Sequence, residues 1–381
     1  MLIPLSNVPR EYSWGSPTLI PALEGRTPTG RPEAEVWYGD HPGSPSLTLD
    51  GRTLDAVLAE AGAGSLPFLL KVLAAEVSLS IQAHPSKDEA VAGFAREEAA
   101  GIPRDAAERT YRDDNHKPEI IVALSESFRA LVGLRPLERT RRLVAALGDA
   151  PGVSALASRL RGEEDAAVLR GTLEWALSEA TQADIDDVIA ALASAEDAGF
   201  AAELDVLRRI SRDFPGDRGV VVALLMNLVV LHRGQALFAP AGVLHAYQDG
   251  LGVELMAASD NVLRGGLTPK HIDVPELLGI VETTPAEVFP IEPARRGDVA
   301  TYDVGVADFS LRRVAVTAGG ASAVAVTGPT IVLATAGRVT VATGADAVEL
   351  VPGRAAYVSA DEREVTLTGA GEVFVAQPGT V

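Results

Sequence analysis

The sequence predicts a mainly β protein in which two antiparallel β regions flank an α-helical segment. Three observations carry this reading. From about residue 290 onward, valine-rich runs alternate with glycine turns about every 8–12 residues, the signature of an antiparallel sandwich or barrel. Between about 139 and 218, apolar residues recur at three- and four-residue spacing among Glu, Asp and Arg, as amphipathic helices require. The 36 glycines and 24 prolines in 381 residues imply frequent turns, which suits short strands.

Along the chain, the first 138 residues mix short β-type runs with turn clusters. The runs are SLTLDGRTL (46–54), FLLKVL (68–73), VSLSIQAHP (77–85) and EIIVAL (119–124). Helical periodicity then fills Leu143–Leu147, Ala166–Leu177, Ile185–Leu192 and Ala202–Ile210, closed by the breaker Pro215-Gly216. The apolar run Val220–Leu231, interrupted by Asn227, is shorter than the roughly 20 residues a bilayer demands, so it reads as a core helix or buried strand. Beyond Gly234 the β texture returns, through VGVADFSLRRVAV, TIVLATAGRVTVAT, AVELVPGRAAYVSA and EVTLTGAGEVFVA.

Composition narrows the function. Hydrophobic residues make up 47% and charged residues 22%, an ordinary globular balance. The 33 basic against 52 acidic residues leave a net charge of −19, which repels nucleic acid and anionic membranes. An anionic substrate therefore needs a local basic pocket. With no cysteine, any metal must be held by oxygen and imidazole nitrogen. The first residues lack a basic n-region and meet Pro4, so no secretory signal is expected and the protein is expected in the cytoplasm.

The chemistry gathers around a few histidines. Gln82 and His84 are two apart in an alternating run, so their side chains share a face and can address one point. Gly234-QALFA-Pro240-Ala-Gly242-Val-Leu-His245 fits G-x5-P-x-G-x2-H, a motif of the cupin superfamily in which a Pro–Gly turn aims the histidine into a barrel mouth. In Tyr111-Arg-Asp-Asp-Asn-His-Lys-Pro-Glu119, Pro118 imposes extended backbone ahead of a carboxylate that opens an apolar strand. Gln82, His84, Glu119 and His245 form a nitrogen and oxygen set that suits Zn²⁺ with open positions, while Mn, Fe or Co could occupy it too.

These residues belong to a longer pattern that resembles the type I phosphomannose isomerases. The resemblance rests on Glu35-Val-Trp-Tyr-Gly-Asp-His41-Pro42, on Pro67-Phe-Leu-Leu-Lys-Val-Leu leading to Ser-Ile-Gln-Ala-His-Pro85, and on Asn115-His-Lys-Pro-Glu119. It is completed by His245-Ala-Tyr through Ser259-Asp-Asn-Val-Leu-Arg-Gly-Gly-Leu-Thr-Pro-Lys270. Glu11-Tyr-Ser-Trp-Gly15 also looks like that family's first strand. The resemblance implies zinc ligation by Gln82, His84, Glu119 and His245, one ion per chain, and places the active-site arginine at Arg264. It puts Lys71 and Lys117 in the sugar-phosphate pocket, with Ser80, Glu254, Asp260 and Lys270 around it. Tyr247, two residues after a ligand, is a candidate pocket hydroxyl. Expected catalytic groups are Arg264, Lys117, Glu254 and Lys270; expected substrate contacts are Lys71, Ser80, Asp260 and Tyr247.

The implied fold is two cupin-type jelly-roll barrels with an inserted α-helical domain. Residues 1–138 and 219–288 would form the catalytic unit, 139–218 the helical insert, and 289–381 a metal-free cupin-like unit. The insert is expected to contribute no residue that touches the metal or the substrate. The implied activity is reversible aldose–ketose isomerisation of D-mannose 6-phosphate and D-fructose 6-phosphate at zinc, through a cis-enediolate, by a monomer acting on a small sugar phosphate. Glu254, Lys117, Lys270 and a metal-bound water remain open as the proton carrier. Two alternatives stand beside this. An iron dioxygenase cupin would place histidine where Gln82 stands, and a sugar-phosphate-binding module without turnover would have no use for an open metal site.

Overall fold

The structure, a computed structural model, describes residues 1–344 and 346–379. It is built on two large, mostly antiparallel sheets and a cluster of helices. One sheet has nine strands and includes Glu35–Tyr38, Phe68–Ala75, Ile81–Ala83, Glu119–Ala123, His245–Ala257 and Leu263–Gly266. The other has ten, including most of the chain beyond Ala294.

Period-two alternation sorts the side chains of the central strands. Leu70, Val72 and Ala74 join Ile120, Val122, Val253 and Leu255 in an apolar core shared with Leu311, Ile331, Leu333 and Phe374 of the other sheet. The intervening positions, Lys71, Glu119 and Glu254, therefore face the opposite side. That alternation separates core from chemistry.

The helices occupy Leu137–Ala145, Pro151–Arg159, Asp165–Glu174, Gln182–Ser194, Ala201–Asp213 and Gly219–Leu225. Their apolar faces meet in one core with Ile81, Leu131, Leu244 and Leu263 of the nine-stranded sheet. Helix thus starts at Leu137 and resumes past residue 218. The run Val220–Leu231 is both things expected of it: helix to Leu225, then the strand Met226–Leu231. Among the described residues no helix is long and apolar enough to cross a membrane.

Several local expectations are corrected. Glu11–Gly15 is not a strand: Gly15 makes only an isolated bridge, and a Cβ there would meet the Ala34 backbone nitrogen at 2.5 Å. The first strand is Leu2–Ser6, which pairs with Ala355–Val358 of the ten-stranded sheet. The β-textured first region also holds the helices Leu19–Glu24, Leu54–Glu60 and Lys87–Ala99, the last opened by a Ser86/Glu89 capping box. In the C-terminal region not every glycine marks a turn. Gly337 lies inside the 14-residue strand Thr330–Thr343, where a Cβ would strike the Ala370 carbonyl oxygen at 2.1 Å.

Candidate active site

Three neighbouring strands set the site's key residues in a row. His245 faces Gln82 in antiparallel register, and Gln82 faces Arg264 on the next strand. Glu119 begins its own strand, opposite Ala239 and Met256.

The imidazoles are locked by their far nitrogens. His84 Nδ1 lies 2.7 Å from the Asn261 carbonyl oxygen, and His245 Nδ1 lies 3.0 Å from that of Val243. A carbonyl only accepts, so each Nδ1 carries the proton and each Nε2 presents a lone pair. Both Nε2 atoms and Glu119 Oε2 are buried without a hydrogen-bond partner. One ligand atom from each of the three side chains lies within 4.8 Å of the others. His245 Nε2 is 2.8 Å from Glu119 Oε1, and His84 Nε2 is 3.4 Å from Glu119 Oε2.

Buried polar atoms are nearly always paired, so three orphans converging on one point call for a cation. Burial pushes His84 down to about 4, aided by the charge of Lys117, which keeps the ring neutral and able to ligate. Burial pushes the Glu119 carboxyl up, but Lys117, His245 and His84 outweigh it and hold the group well below the ordinary carboxylate range. Gln82 lines the cavity above. Two neutral imidazoles, one carboxylate and one amide oxygen fit Zn²⁺ with positions to spare.

Above this floor opens a cavity of about 530 Å³. Lys71, Ser80, Lys117, Glu254, Arg264 and Lys270 all reach its wall, as expected from the sequence. Lys71 Nζ stands 2.9 Å from Glu254 Oε2 and 3.5 Å from Glu35 Oε1, and Trp37 Nε1 donates to the other Glu35 oxygen at 2.8 Å. Burial alone would lower the Lys71 pKa; Glu254 and Glu35 overcome it and keep the ammonium charged. For Glu254 burial wins over the opposing charge of Lys71, and its pKa is raised.

The rim is cationic. Burial and then Arg112 lower the pKa of Arg264, and burial, Arg264 and Arg112 lower that of Lys270. Asp260 lies in an adjoining recess with Trp37, Arg112 and Lys117, its carboxylate 3.2 Å from His41 Nε2. Tyr247 is buried, and its hydroxyl donates to Glu119 Oε1 at 3.4 Å, steadying that carboxylate.

The helical insert reaches the cavity wall. Asp213 and Phe214, at the end of the helix Ala201–Asp213, form part of its wall. The cause is the Pro215-Gly216 breaker, which turns the chain back toward the sheet. Leu267, which also lines the cavity, is the one residue other than glycine with positive φ (56°) among the described residues. Such a conformation costs about 1–2 kcal/mol.

Other histidines have structural partners. His116 turns away from the ligands to Asp308 at 2.8 Å. His232 follows the strand Met226–Leu231, and its Nδ1 lies 3.2 Å from the Glu126 carbonyl oxygen. His271 borders a small crevice with Asp273. Trp14 lines the cavity, while Trp175 is buried in the helical core. Sequence reading passed over Arg112, although it sits inside the block that ends at Glu119. It had no signal for Phe214, whose place depends on how the insert folds back.

Fold and site together define a metal-binding β protein with a basic rim around its cavity. Residues 2–137 match the family described as phosphomannose isomerase type I, catalytic domain. The chain is 35% identical over 388 residues to mannose-6-phosphate isomerase of Escherichia coli (strain K12), covering 97% of each chain. It is 32% identical to the Homo sapiens mannose-6-phosphate isomerase over 83% of this chain and 82% of that one. A crystal structure of the Salmonella typhimurium mannose 6-phosphate isomerase, bound to fructose 6-phosphate and zinc, superposes with a TM-score of 0.88 at 32% identity, covering 100% of both chains. This chain belongs to the type I phosphomannose isomerase family.

Proposed function

We propose that this chain interconverts D-mannose 6-phosphate and D-fructose 6-phosphate, using one Zn²⁺ held by Gln82, His84, Glu119 and His245. The observation that carries the proposal is the pairing of two unfilled needs in one cavity. Buried ligand atoms at the floor have no hydrogen-bond partner, and cations at the rim crowd one another without a carboxylate among the groups that shift them. A sugar phosphate in the presence of zinc satisfies both.

The zinc supplies Lewis acidity toward the oxygens of the opened sugar. The protein's own groups do the rest. Lys270 and Arg112 hold the phosphate dianion, relieving the repulsion among like charges. Arg264, in register beside Gln82, stabilises the oxyanion that develops at C1–C2 with a guanidinium that stays charged throughout. The proton moves between C2 and C1 through a cis-enediolate. Glu254 suits this transfer: it lines the cavity, and burial raises its pKa above the ordinary carboxylate value. Lys71 orients that carboxylate from one side, and Lys117, 3.2 Å from Glu119 Oε2, orients the ligand. Ser80 offers a hydroxyl at the wall.

The two sheets read as two jelly-roll units, catalytic over 1–138 and 219–288 and metal-free over 289–381, with the helices of 139–218 inserted. Supporting this, the ligand-bearing strands lie together in the nine-stranded sheet. The strands Leu2–Ser6 and Leu47–Thr48 are the exception, since both belong to the ten-stranded sheet.

A coupled assay following fructose 6-phosphate formation from mannose 6-phosphate, run beside metal analysis of the purified protein, tests the function. Absence of turnover in the zinc-loaded protein would refute it.

A further inference from the structure

Arg264 and Lys270 must be aimed by something other than a side-chain partner. Neither has a carboxylate among the groups that set its pKa, and each is close to another cation. Their positions therefore follow from the backbone turn between them, Gly265 to Pro269. That turn is the left-handed one at Leu267, a conformation that persists only where its surroundings over-determine it.

The surroundings come from the helical insert. Asp217 sits between the helices Ala201–Asp213 and Gly219–Leu225. Its Oδ1 accepts from the Leu267 backbone N–H at 3.0 Å and from Gly219 N–H at 2.7 Å, and its Oδ2 accepts from Thr268 N–H at 3.3 Å. Successive N–H groups in such a turn form a concavity that favours an anion, and here the protein's own carboxylate fills it. The Leu267 side chain anchors the same turn from the other side, buried at 2% exposure in the helical core. The approach is so close that a Cβ on Gly266 would meet Gly219 Cα at 2.3 Å.

We propose that Asp217 is a positioning residue of the active site, holding the Leu267–Thr268 turn so that Arg264 and Lys270 converge on the substrate. The insert thereby sets the anion-binding geometry of a site whose metal ligands lie on the sheet or, for His84, directly after one of its strands. This inference rests on the isomerase reading. A wild-type protein without isomerase activity would refute that reading, whereas an active wild type with an indifferent Asp217 would refute only the present one.

The test compares zinc-loaded wild type, Asp217→Ala and Asp217→Asn, with Glu163→Gln in an exposed loop of the insert as the control. Asp217→Ala is expected to lower kcat/KM for mannose 6-phosphate about 10–100-fold, the size of effect a small misplacement of reacting groups produces. Inhibition by inorganic phosphate should weaken about tenfold, with zinc content unchanged. Asp217→Asn keeps an oxygen that can accept from Leu267 and Gly219, so it should stay within about threefold of wild type. Kinetics and phosphate inhibition within twofold of wild type in the alanine variant would overturn the proposal, whatever its melting temperature. An asparagine variant as slow as the alanine one would also overturn it, by making charge and not hydrogen bonding the cause. If the alanine variant does not fold, Asp217→Glu decides: the longer side chain displaces the turn, and wild-type kinetics there would overturn the proposal.

Discussion

Lys71 and Glu254 face each other across paired strands, and their charged ends meet at 2.9 Å in a place almost closed to water. Each makes the other tolerable. Lys71→Met would leave a buried carboxylate without its nearest cation, a change that typically costs about 3–5 kcal/mol. The double variant Lys71→Met/Glu254→Gln removes both charges and should regain most of that stability in urea unfolding, while isomerase activity stays lost. A double variant no more stable than the single one would show that the pair is not coupled.

The metal ligands should respond to removal of either histidine. His245→Ala is expected to bind less than one zinc per chain and to lose turnover, while keeping its circular dichroism spectrum, because the two-sheet core does not hang on one ion. A strong chelator should abolish wild-type activity and added Zn²⁺ restore it. Full metal content together with full activity in His245→Ala would contradict the assignment of ligands.

Metal-free protein should show a particular pH dependence. His84 is pushed down to about 4 by burial, against about 6.5 in an unfolded chain. Above pH 6.5 neither state binds a proton there, and the group contributes nothing. Between 6.5 and 4 the unfolded chain takes up a proton that the folded one refuses, so stability falls as the pH falls, by up to about 3 kcal/mol. Urea unfolding of the chelated protein at pH 7.5 and pH 5 measures this loss. His84→Gln should remove most of that share of the loss, and an unchanged loss in the variant would exclude His84 as its source.

Arg264 is expected to act on the transition state. Arg264→Ala should lower kcat by about 10²–10³ with zinc content unchanged, the size of losing one preorganised oxyanion donor. Arg264→Lys should restore only part of the rate, since a point charge cannot reproduce the fork. A rise in KM alone would reassign Arg264 to uniform substrate binding.

The insert should divide into indifferent and sensitive positions. Glu163→Gln with Glu164→Gln, both exposed, should leave kcat/KM within about threefold. Phe214→Ala opens the cavity wall and should raise KM roughly tenfold. Equal effects from the two changes would mean that the wall contact is incidental.

The metal site was legible because its residues sit at short, fixed spacings on strands. Gln82 and His84 share a face by alternation, and the turn before His245 is written in Pro240 and Gly242. The cations of the long block ending at Lys270 were legible for the same reason. What escaped is long-range. Alternation says which residues share a face but not which partners they meet there, so the hydrogen bond from Tyr247 to Glu119 was not legible. No local pattern reveals that Phe214 and Asp217 fold back onto a loop some 50 residues later in the chain. Nor did β texture at residues 46–54 disclose that the run stops at Thr48 and turns helical at Leu54. There the side chains serve either state, and tertiary packing decides.

The pairing of Leu2–Ser6 with Ala355–Val358 has a cost during synthesis. At about 5–20 residues per second, the first strand waits tens of seconds after emerging before its partner has even been made. Throughout that interval the strand has only its short pairing with Leu47–Thr48, and Leu2, Ile3 and Pro4 lack their partners in Ala355–Val358. The nine-stranded sheet, whose strands end by Gly266, can assemble on the ribosome around its ligand residues while this strand still lacks Ala355–Val358. Closure of the ten-stranded sheet is therefore a late, non-local event, and slow by its loop length. Crowded or overexpressing cells should lose yield at that step, through nascent chains whose metal site is already formed.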